Sequence, residues 1–315
     1  MPTPSEQTRN AERGVRSAAL RSVFENFDVR ESAAKSPERG SAIRSNMESA
    51  EAMRLTEPRS AEVAPLQTKI DVAVARSFLH RFVAKLLEYP TVEGWTWLTR
   101  PETAQAVCNA TAATGGDQAA DALLAELKRA SLDAFVDAHL SAFGHAARGP
   151  VPMNEIEYGD LKADPLFQPH RLADLAAFYR AFGLEVTPDA NERQDHICLQ
   201  LEFMSVLAAK EAYALEHQLE TEALAICRAA EKDFLREHLG RWAPAFTRRV
   251  ERSVTESALR LVAEFMQSFL ATECERFGVK PGSEDLVLRP VDAETDLLCA
   301  SCGLNKLPPG ALTAT

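Results

Sequence analysis

The chain has 315 residues, 46% hydrophobic and 26% charged, which is ordinary for a globular protein and enough to bury a sizeable core in one large domain or two small ones. Residues 1–66 hold ten basic and ten acidic side chains, so the formal net charge of −11 falls entirely on residues 67–315. An acidic body argues against a nucleic-acid partner, because phosphate binding needs clustered Lys and Arg, and it suits a basic partner instead. No stretch approaches the ~18–20 consecutive apolar residues of a membrane span, so no stable membrane insertion is expected. The polar start Met1-Pro2-Thr3-Pro4-Ser5-Glu6 leads into no apolar core of a secretory signal. Six cysteines in so long a chain do not form a disulfide framework, and Cys198, Cys227 and Cys274 lie within helical patterns where a reduced thiol acts as a small apolar group. Reducing cytoplasm is the expected compartment.

Residues 1–66 are rich in Ser, Ala, Glu and Arg, with prolines at 2, 4, 37, 58 and 65, and too few large apolar side chains to offset the entropy of ordering. They are expected to form a disordered N-terminal tail, with one short helical match at Leu20, Val23, Phe24 and Phe27. From Ile70 the pattern turns strongly helical. Val74, Ala75, Phe78, Leu79, Phe82, Val83, Leu86 and Leu87 form a stripe that stops at Tyr89-Pro90. A short segment follows around Trp95 and Trp97, then a helix with Pro101 as its first residue and a break at Gly115-Gly116. The spacing over Leu123–Phe143 predicts two helices meeting near Ser131, and the four prolines of Gly149–Pro169 predict an ordered connector. Helical patterns then cover Leu172–Phe182, Asp195–His217, Glu220–Leu239, Trp242–Val254 and Glu256–Phe277. Gly183, Gly240 and Gly278 stand where helix C-termini favour positive φ. No alternating strand is evident. The fold class is all-α: a single domain of about nine to ten helices over residues 67–280, followed by an irregular C-terminal tail, 281–315.

The sequence has no Gly-rich phosphate cradle, no Gly-x-Gly-x-x-Gly and no nucleophile elbow. None of the seven histidines has Glu or Asp three positions before it, as helical metal sites often require. His217 and Glu220 form the reversed spacing once, which reads as a solvated corner. Cys299-Ala300-Ser301-Cys302 is half a tetrahedral zinc site or a redox pair, but no second pair accompanies it. No catalytic residue and no cofactor are expected. The rival reading is a small helical metal-binding protein or enzyme using His196 and Glu202, or Cys299 and Cys302.

Residues 195–217 carry apolar side chains in almost every direction around the helix, the mark of a buried helix. Asp195 stands where a carboxylate can cap the N-terminus, and Glu202, two turns on along the same face, needs a partner if it is buried. Trp95, Trp97, Phe178, Tyr179 and Phe182 are expected in the core, and any exposed member would be a peptide-contact candidate.

The most specific pattern runs from Ala173-Asp174-Leu175-Ala176-Ala177-Phe178-Tyr179-Arg180-Ala181-Phe182-Gly183-Leu184 through Glu192-Arg193-Gln194-Asp195-His196 and Leu201-Glu202-Phe203-Met204 to Lys210-Glu211-Ala212. Glu157-Tyr158 lies upstream, and Phe234-Leu235, His238-Leu239-Gly240, Trp242, Pro244 and Phe246 lie downstream. Together these residues, over about 70–278, resemble the TorD/DmsD/NarJ family of redox-enzyme maturation chaperones, above all members serving ethylbenzene-, selenate- and dimethylsulfide-type oxidoreductases. The resemblance implies a cytoplasmic chaperone that binds the twin-arginine signal peptide and the immature form of a molybdenum-containing catalytic subunit. It holds that client until the cofactor is inserted, acting as a monomer or as a homodimer by exchange of helical halves. It also implies a client-binding site including Tyr158, Glu192, Asp195, His196 and Glu202. Arg193 stands where the family usually has proline, which implies a less rigid loop.

Overall fold

The first long helix, α1 (Ser60–Leu87), begins inside the span expected to be tail, and in this computed structural model it lies along α7 (Ile197–Glu216) over much of its length. The structure describes residues 60–115, 119–144, 149–159, 167–186, 192–219 and 221–289. The helical match at Leu20–Phe27 and the Cys299/Cys302 pair lie outside them. Between and around the central pair stand α2 (Val92–Thr99), α3 (Pro101–Thr114), α4 (Ala119–Leu127), α5 (Leu132–Phe143), α6 (Phe167–Ala181), α8 (Thr221–Phe234), α9 (Gly240–Ser253) and α10 (Ser257–Arg276). The fold is all-α. Among the described residues the only extended pairings are two isolated bridges, Asn154 with His196 and Tyr158 with Leu288.

Local sequence explains most helix ends. Thr91 Oγ1 accepts the Gly94 N–H at the start of α2, and Ser131 Oγ accepts the Ala134 N–H at the start of α5. Pro101 opens α3 because its missing N–H would have no helical partner there. Gly183 and Gly278 take positive φ just past α6 and α10, as their positions predict.

Gly240 does not end a helix: its φ is −68°, and the chain runs from α8 through a π turn (Leu235–Leu239) straight into α9. Glycine is needed there for space, since a Cβ would stand 2.6 Å from Leu235 O and 3.1 Å from Cys274 Sγ. Pro244, four residues on, has no N–H to give the Gly240 carbonyl. The Gly282 N–H supplies it from the C-terminal segment at 2.9 Å. The segment 281–289 has no helix or strand, yet it is bound: Gly159 N donates to Val287 O, Arg289 N to Glu157 O and Arg249 to Leu286 O.

The core stripe of α1 is as the spacing predicts except for Val74, which is 54% exposed. In its place two polar residues of the same helix, Arg76 and His80, are buried. Arg76 is enclosed by three glutamates from three other helices. It donates to Glu273 of α10 at 2.8 and 2.9 Å, to Glu211 of α7 at 2.6 Å, and to Glu231 of α8. One guanidinium thus ties α1, α7, α8 and α10 together, with the Phe277 ring 4.9 Å from its carbon.

Arg228 and Arg276 also reach Glu211 and Glu273, at 2.6 and 3.5 Å, whereas among the described residues Glu231 is paired with Arg76 alone. Burial pushes Glu231 up to about 8, against the pull of Arg76 and with the push of Glu211, so it gives up its proton well above the usual carboxylate range. Its Oε1 has no partner. A carboxyl whose folded pKa exceeds its unfolded value of 4.5 contributes stability that is full below 4.5 and lost as pH rises towards 8. Replacing Glu231 with Gln keeps the shape and removes that loss. The Glu231→Gln protein is therefore expected to gain melting temperature relative to the native protein as pH goes from 6 to 8.5, and a constant difference across that range would refute the assignment. Groups common to both proteins, such as His238, whose pKa is raised above the ordinary imidazole value, cancel to first order in the difference.

Candidate functional site

The loop before α7 is held by a second buried polar network. Two strand-like segments meet where the Glu155 N–H donates to Asp195 O at 3.0 Å and the Ile197 N–H to Met153 O at 2.9 Å. The Asp195 side chain is wholly buried and accepts from Ile156 N at 3.1 Å, Asn154 Nδ2 at 3.2 Å, and Arg193 Nε and Nη2 at 2.5 and 3.1 Å. It does not cap α7. The cap is His196, whose Nδ1 accepts the Cys198 N–H at 3.3 Å, so the carboxylate one position earlier turns instead towards the 154–156 turn. Arg193, in the place usually held by proline, clamps Asp195 and supplies an ionic restraint in place of a ring.

Glu155 is the centre of the network and is also fully buried. It accepts from Gln200 Nε2 at 2.8 Å, His238 Nδ1 at 3.1 Å and Arg241 at 3.1 Å, with Arg171 3.8 Å away. Burial alone would raise its pKa, but His238 and the two arginines outweigh that and hold it below the usual carboxylate range. Burial likewise opposes a charged His238, yet its contacts with Asp174, 3.3 Å from Nε2, and with Glu155 raise it above the ordinary imidazole value. Gln200 Oε1 accepts the Trp242 N–H at 3.1 Å, which extends the network into the core. None of Glu155, Gln200 or Arg171 stood among the expected site residues, and their only signal was polar identity in apolar surroundings.

The aromatic residues of α6 explain why the Ala173–Leu184 pattern is dense. Tyr179 and Phe182 are buried and Phe178 partly so, packing on Phe203 and Phe234 with ring centres 4.8–6.4 Å apart. Tyr179 also donates its hydroxyl to Gln194 O at 2.8 Å, tying α6 to the loop. Beside this bond lies an open cavity of about 280 Å³ walled by Tyr179, Leu184, Val186, Arg180 and Gln194. Trp95 and Trp97 are half-buried against the core.

Tyr158, expected to meet a client, is buried: its hydroxyl donates to Pro152 O at 2.7 Å and its ring lies 4.9 Å from Trp242. Tyr158 and Asp195 thus shape the loop from beneath and present no side chain to solvent. Glu202 has no buried partner; it is exposed, because the burial of α7 leaves one strip open. Glu192 is exposed and His196 half-buried on the same side. Burial lowers the His196 pKa despite Glu192 and Asp195, so the ring is neutral and, with Nδ1 accepting, carries its proton on Nε2. Partial burial and the charges of Glu88 and Glu192 raise Glu202, with Arg81 and Lys85 opposing. That electrostatic coupling places Glu88, at the end of α1, in the same acidic group. Next to Glu88 in sequence, Tyr89 is 58% exposed, and Val92 is 66% exposed. Neither was legible as a surface residue, because Tyr-Pro reads only as a helix stop.

Among the described residues no three His, Cys, Asp or Glu side chains are placed to hold a metal ion, and no helix is long and apolar enough to cross a membrane. His217 is exposed and stacked on Tyr213. These features define an all-helical protein in which buried polar residues lock the loop before α7, with Glu192 and Glu202 exposed beside it. Residues 109–248 match the family model described as nitrate reductase delta subunit. The chain is 28% identical over 214 residues to the perchlorate reductase assembly chaperone protein of Dechloromonas aromatica, covering 66% of this chain and 92% of that protein. It is 37% identical over 87 residues to the selenate reductase assembly chaperone protein of Thauera selenatis, and 34% identical over 91 residues to the chaperone protein TorD of Vibrio cholerae. Those two matches cover 28% of this chain and 42% and 40% of the relatives. All three relatives are chaperones, two of them named as assembly chaperones of reductases, which agrees with the resemblance to the redox-enzyme maturation chaperones drawn from the sequence.

Proposed function

We propose that the protein is a cytoplasmic assembly chaperone for the catalytic subunit of a molybdenum-containing oxidoreductase. It holds the immature subunit and its twin-arginine signal peptide while the cofactor is inserted, and releases them for export. The observation that carries this reading is the group of Glu88, Glu192 and Glu202, whose charges raise the Glu202 carboxyl even though Lys85 pairs with Glu88 at 2.6 Å, with Tyr89 and Val92 exposed a few residues along the chain from Glu88. A twin-arginine signal offers two guanidinium groups followed by an apolar segment, so crowded carboxylates next to exposed apolar side chains are its physical complement. Glu192, His196 and Glu202 are then contact residues, while Asp195 and Tyr158 hold the loop that presents them.

The test is calorimetry with a peptide carrying Arg-Arg before an apolar segment, set against its Lys-Lys counterpart. Exposed charges contribute through steering and rim contacts, so the Glu192→Gln/Glu202→Gln double variant is expected to bind about ten-fold more weakly, with unchanged melting. Affinity should also fall as salt rises to physiological strength, where exposed charges are screened beyond ~8 Å. Equal binding of the Arg-Arg peptide by the native protein and the double variant would remove this face from the reading.

A further inference from the structure

We propose that the groove between α9 and the chain edge at 157–159 docks an extended segment of a partner protein, acidic at its start and alternately apolar after it. Residues 283–289 occupy that groove in the free chain as a displaceable stand-in. The inference does not depend on the acidic group around Glu202, because the two surfaces share no residue and carry opposite charge.

The start of the segment is firmly anchored. Val279 N donates to Cys274 O at 2.8 Å, and Gly282 N donates to Gly240 O at 2.9 Å. At Gly282 the approach is so close that a Cβ would stand 1.9 Å from Arg241 O. Beyond this pivot the hold is lighter. Two main-chain bonds of 2.9 Å, Gly159 N to Val287 O and Arg289 N to Glu157 O, pair the segment antiparallel with the edge at Tyr158. Main-chain pairing does not read side chains, so such an edge can accept another extended chain. Leu286 and Leu288 pack half-buried on the core, while Val287 between them is 58% exposed. The groove therefore selects apolar side chains at alternate positions.

Charge selects the acidic end. Arg248, Arg249 and Arg252 crowd the last turns of α9, in a chain of net charge −11. Against them the segment sets Glu284, 3.9 Å from Arg248, and Asp285, 3.8 Å from Arg252, on side chains that are each at least 43% exposed. Ion pairs this long and this open hold weakly. Glu284 also accepts from Gln267 at 3.0 Å, Arg249 gives a terminal nitrogen to Leu286 O at 2.7 Å, and Arg248 gives one to Glu251 at 3.3 Å. Arg248 Nε and Arg249 Nε are nonetheless buried without a hydrogen-bond partner among the described residues. The segment thus matches the sign of the groove but leaves two of its donors unused. A partner chain whose carboxylates reach those guanidinium groups directly would bind there more strongly than the stand-in does.

The test is fluorescence anisotropy of the full chain with a labelled peptide copying residues 283–289. The native chain should bind it weakly, because the tethered copy competes at an effective concentration of about a millimolar. The Leu286→Asp/Leu288→Asp variant, which ejects the tethered copy, should bind the peptide about ten-fold more tightly and melt within a few degrees of the native protein. A peptide of scrambled order, and one with both acids replaced by Lys, should bind that variant far more weakly than the copy does. If the leucine variant fails to fold, Glu284→Lys/Asp285→Lys loosens the tethered copy without touching its apolar contacts, and it should give a smaller gain of the same sign. Three results would overturn the proposal: no binding to either variant at millimolar peptide, equal binding of the scrambled peptide, or equal affinity of native and variant chains. A native dimer that the leucine variant abolishes would also overturn it, by assigning the groove to the segment of a second copy.

Discussion

Replacing Arg76 with methionine is expected to lower stability by about 3–5 kcal/mol, the cost of leaving buried charges without their partner. Against a typical total of about 5–15 kcal/mol, that takes a large share of the stability and brings the protein close to unfolding at moderate temperature. The reason is geometric. Among the described residues Arg76 is the only cation that reaches Glu211, Glu231 and Glu273 together; Arg228 and Arg276 touch one acid each from partly exposed positions. Without it, Glu211 and Glu273 must protonate or draw in water, and four helices lose their common tie. Lysine would not rescue the site, because one ammonium group cannot span three carboxylates held by a planar fork. Converting all three glutamates to Gln together with Arg76→Met should recover much of the loss, since it removes the uncompensated charge and keeps the packing. Urea denaturation of the single and combined variants measures both. A loss below about 1 kcal/mol for Arg76→Met would show that water already solvates the cluster.

This cluster also marks where sequence reasoning stops. The stripe of α1 was legible because apolar spacing is local, and helix starts at Thr91, Pro101 and Ser131 follow from a few adjacent residues. Arg76 meets its acids 135, 155 and 197 residues away, so nothing near it in the chain marks it as buried. Gly240 is misleading in the same way: as a local signal it means a helix end, whereas its need for a missing Cβ comes from Leu235 O and from Cys274 on another helix. At the candidate site, the residue types of the 192–196 loop were legible and their roles were not. Asp195 and His196 are adjacent, and of the two residue types aspartate is the favoured helix cap. Only the 154–156 turn, some 40 positions upstream, decides that the histidine caps and the aspartate faces inward.

That exchange of roles sets the second large effect, at Asp195. Were Asp195 a helix cap, Asn would replace it at a cost of a few tenths of a kcal/mol, because the two cap about equally well. In the buried network its two oxygens instead receive four donors: Asn154 Nδ2, the Ile156 N–H, and two nitrogens of Arg193. Asn keeps one accepting oxygen and turns an NH₂ group towards the donors of the other. At least one buried donor then goes unpaired, and the arginine loses its counter-charge, so Asp195→Asn is expected to cost about 1–3 kcal/mol. Asp195→Ala should cost more, since it orphans Ile156 N and Arg193 together. Because the side chain is wholly buried, weaker binding of an arginine-bearing peptide by Asp195→Asn can arise only through the loop. It should therefore accompany lowered melting, whereas the Glu192/Glu202 variant weakens binding at native melting. A melting curve and a peptide titration for each variant separate the two patterns. If Asp195→Asn melted as the native protein does and still lost the peptide, the carboxylate would have to reach the partner directly, and the closed loop seen here would not be the binding form.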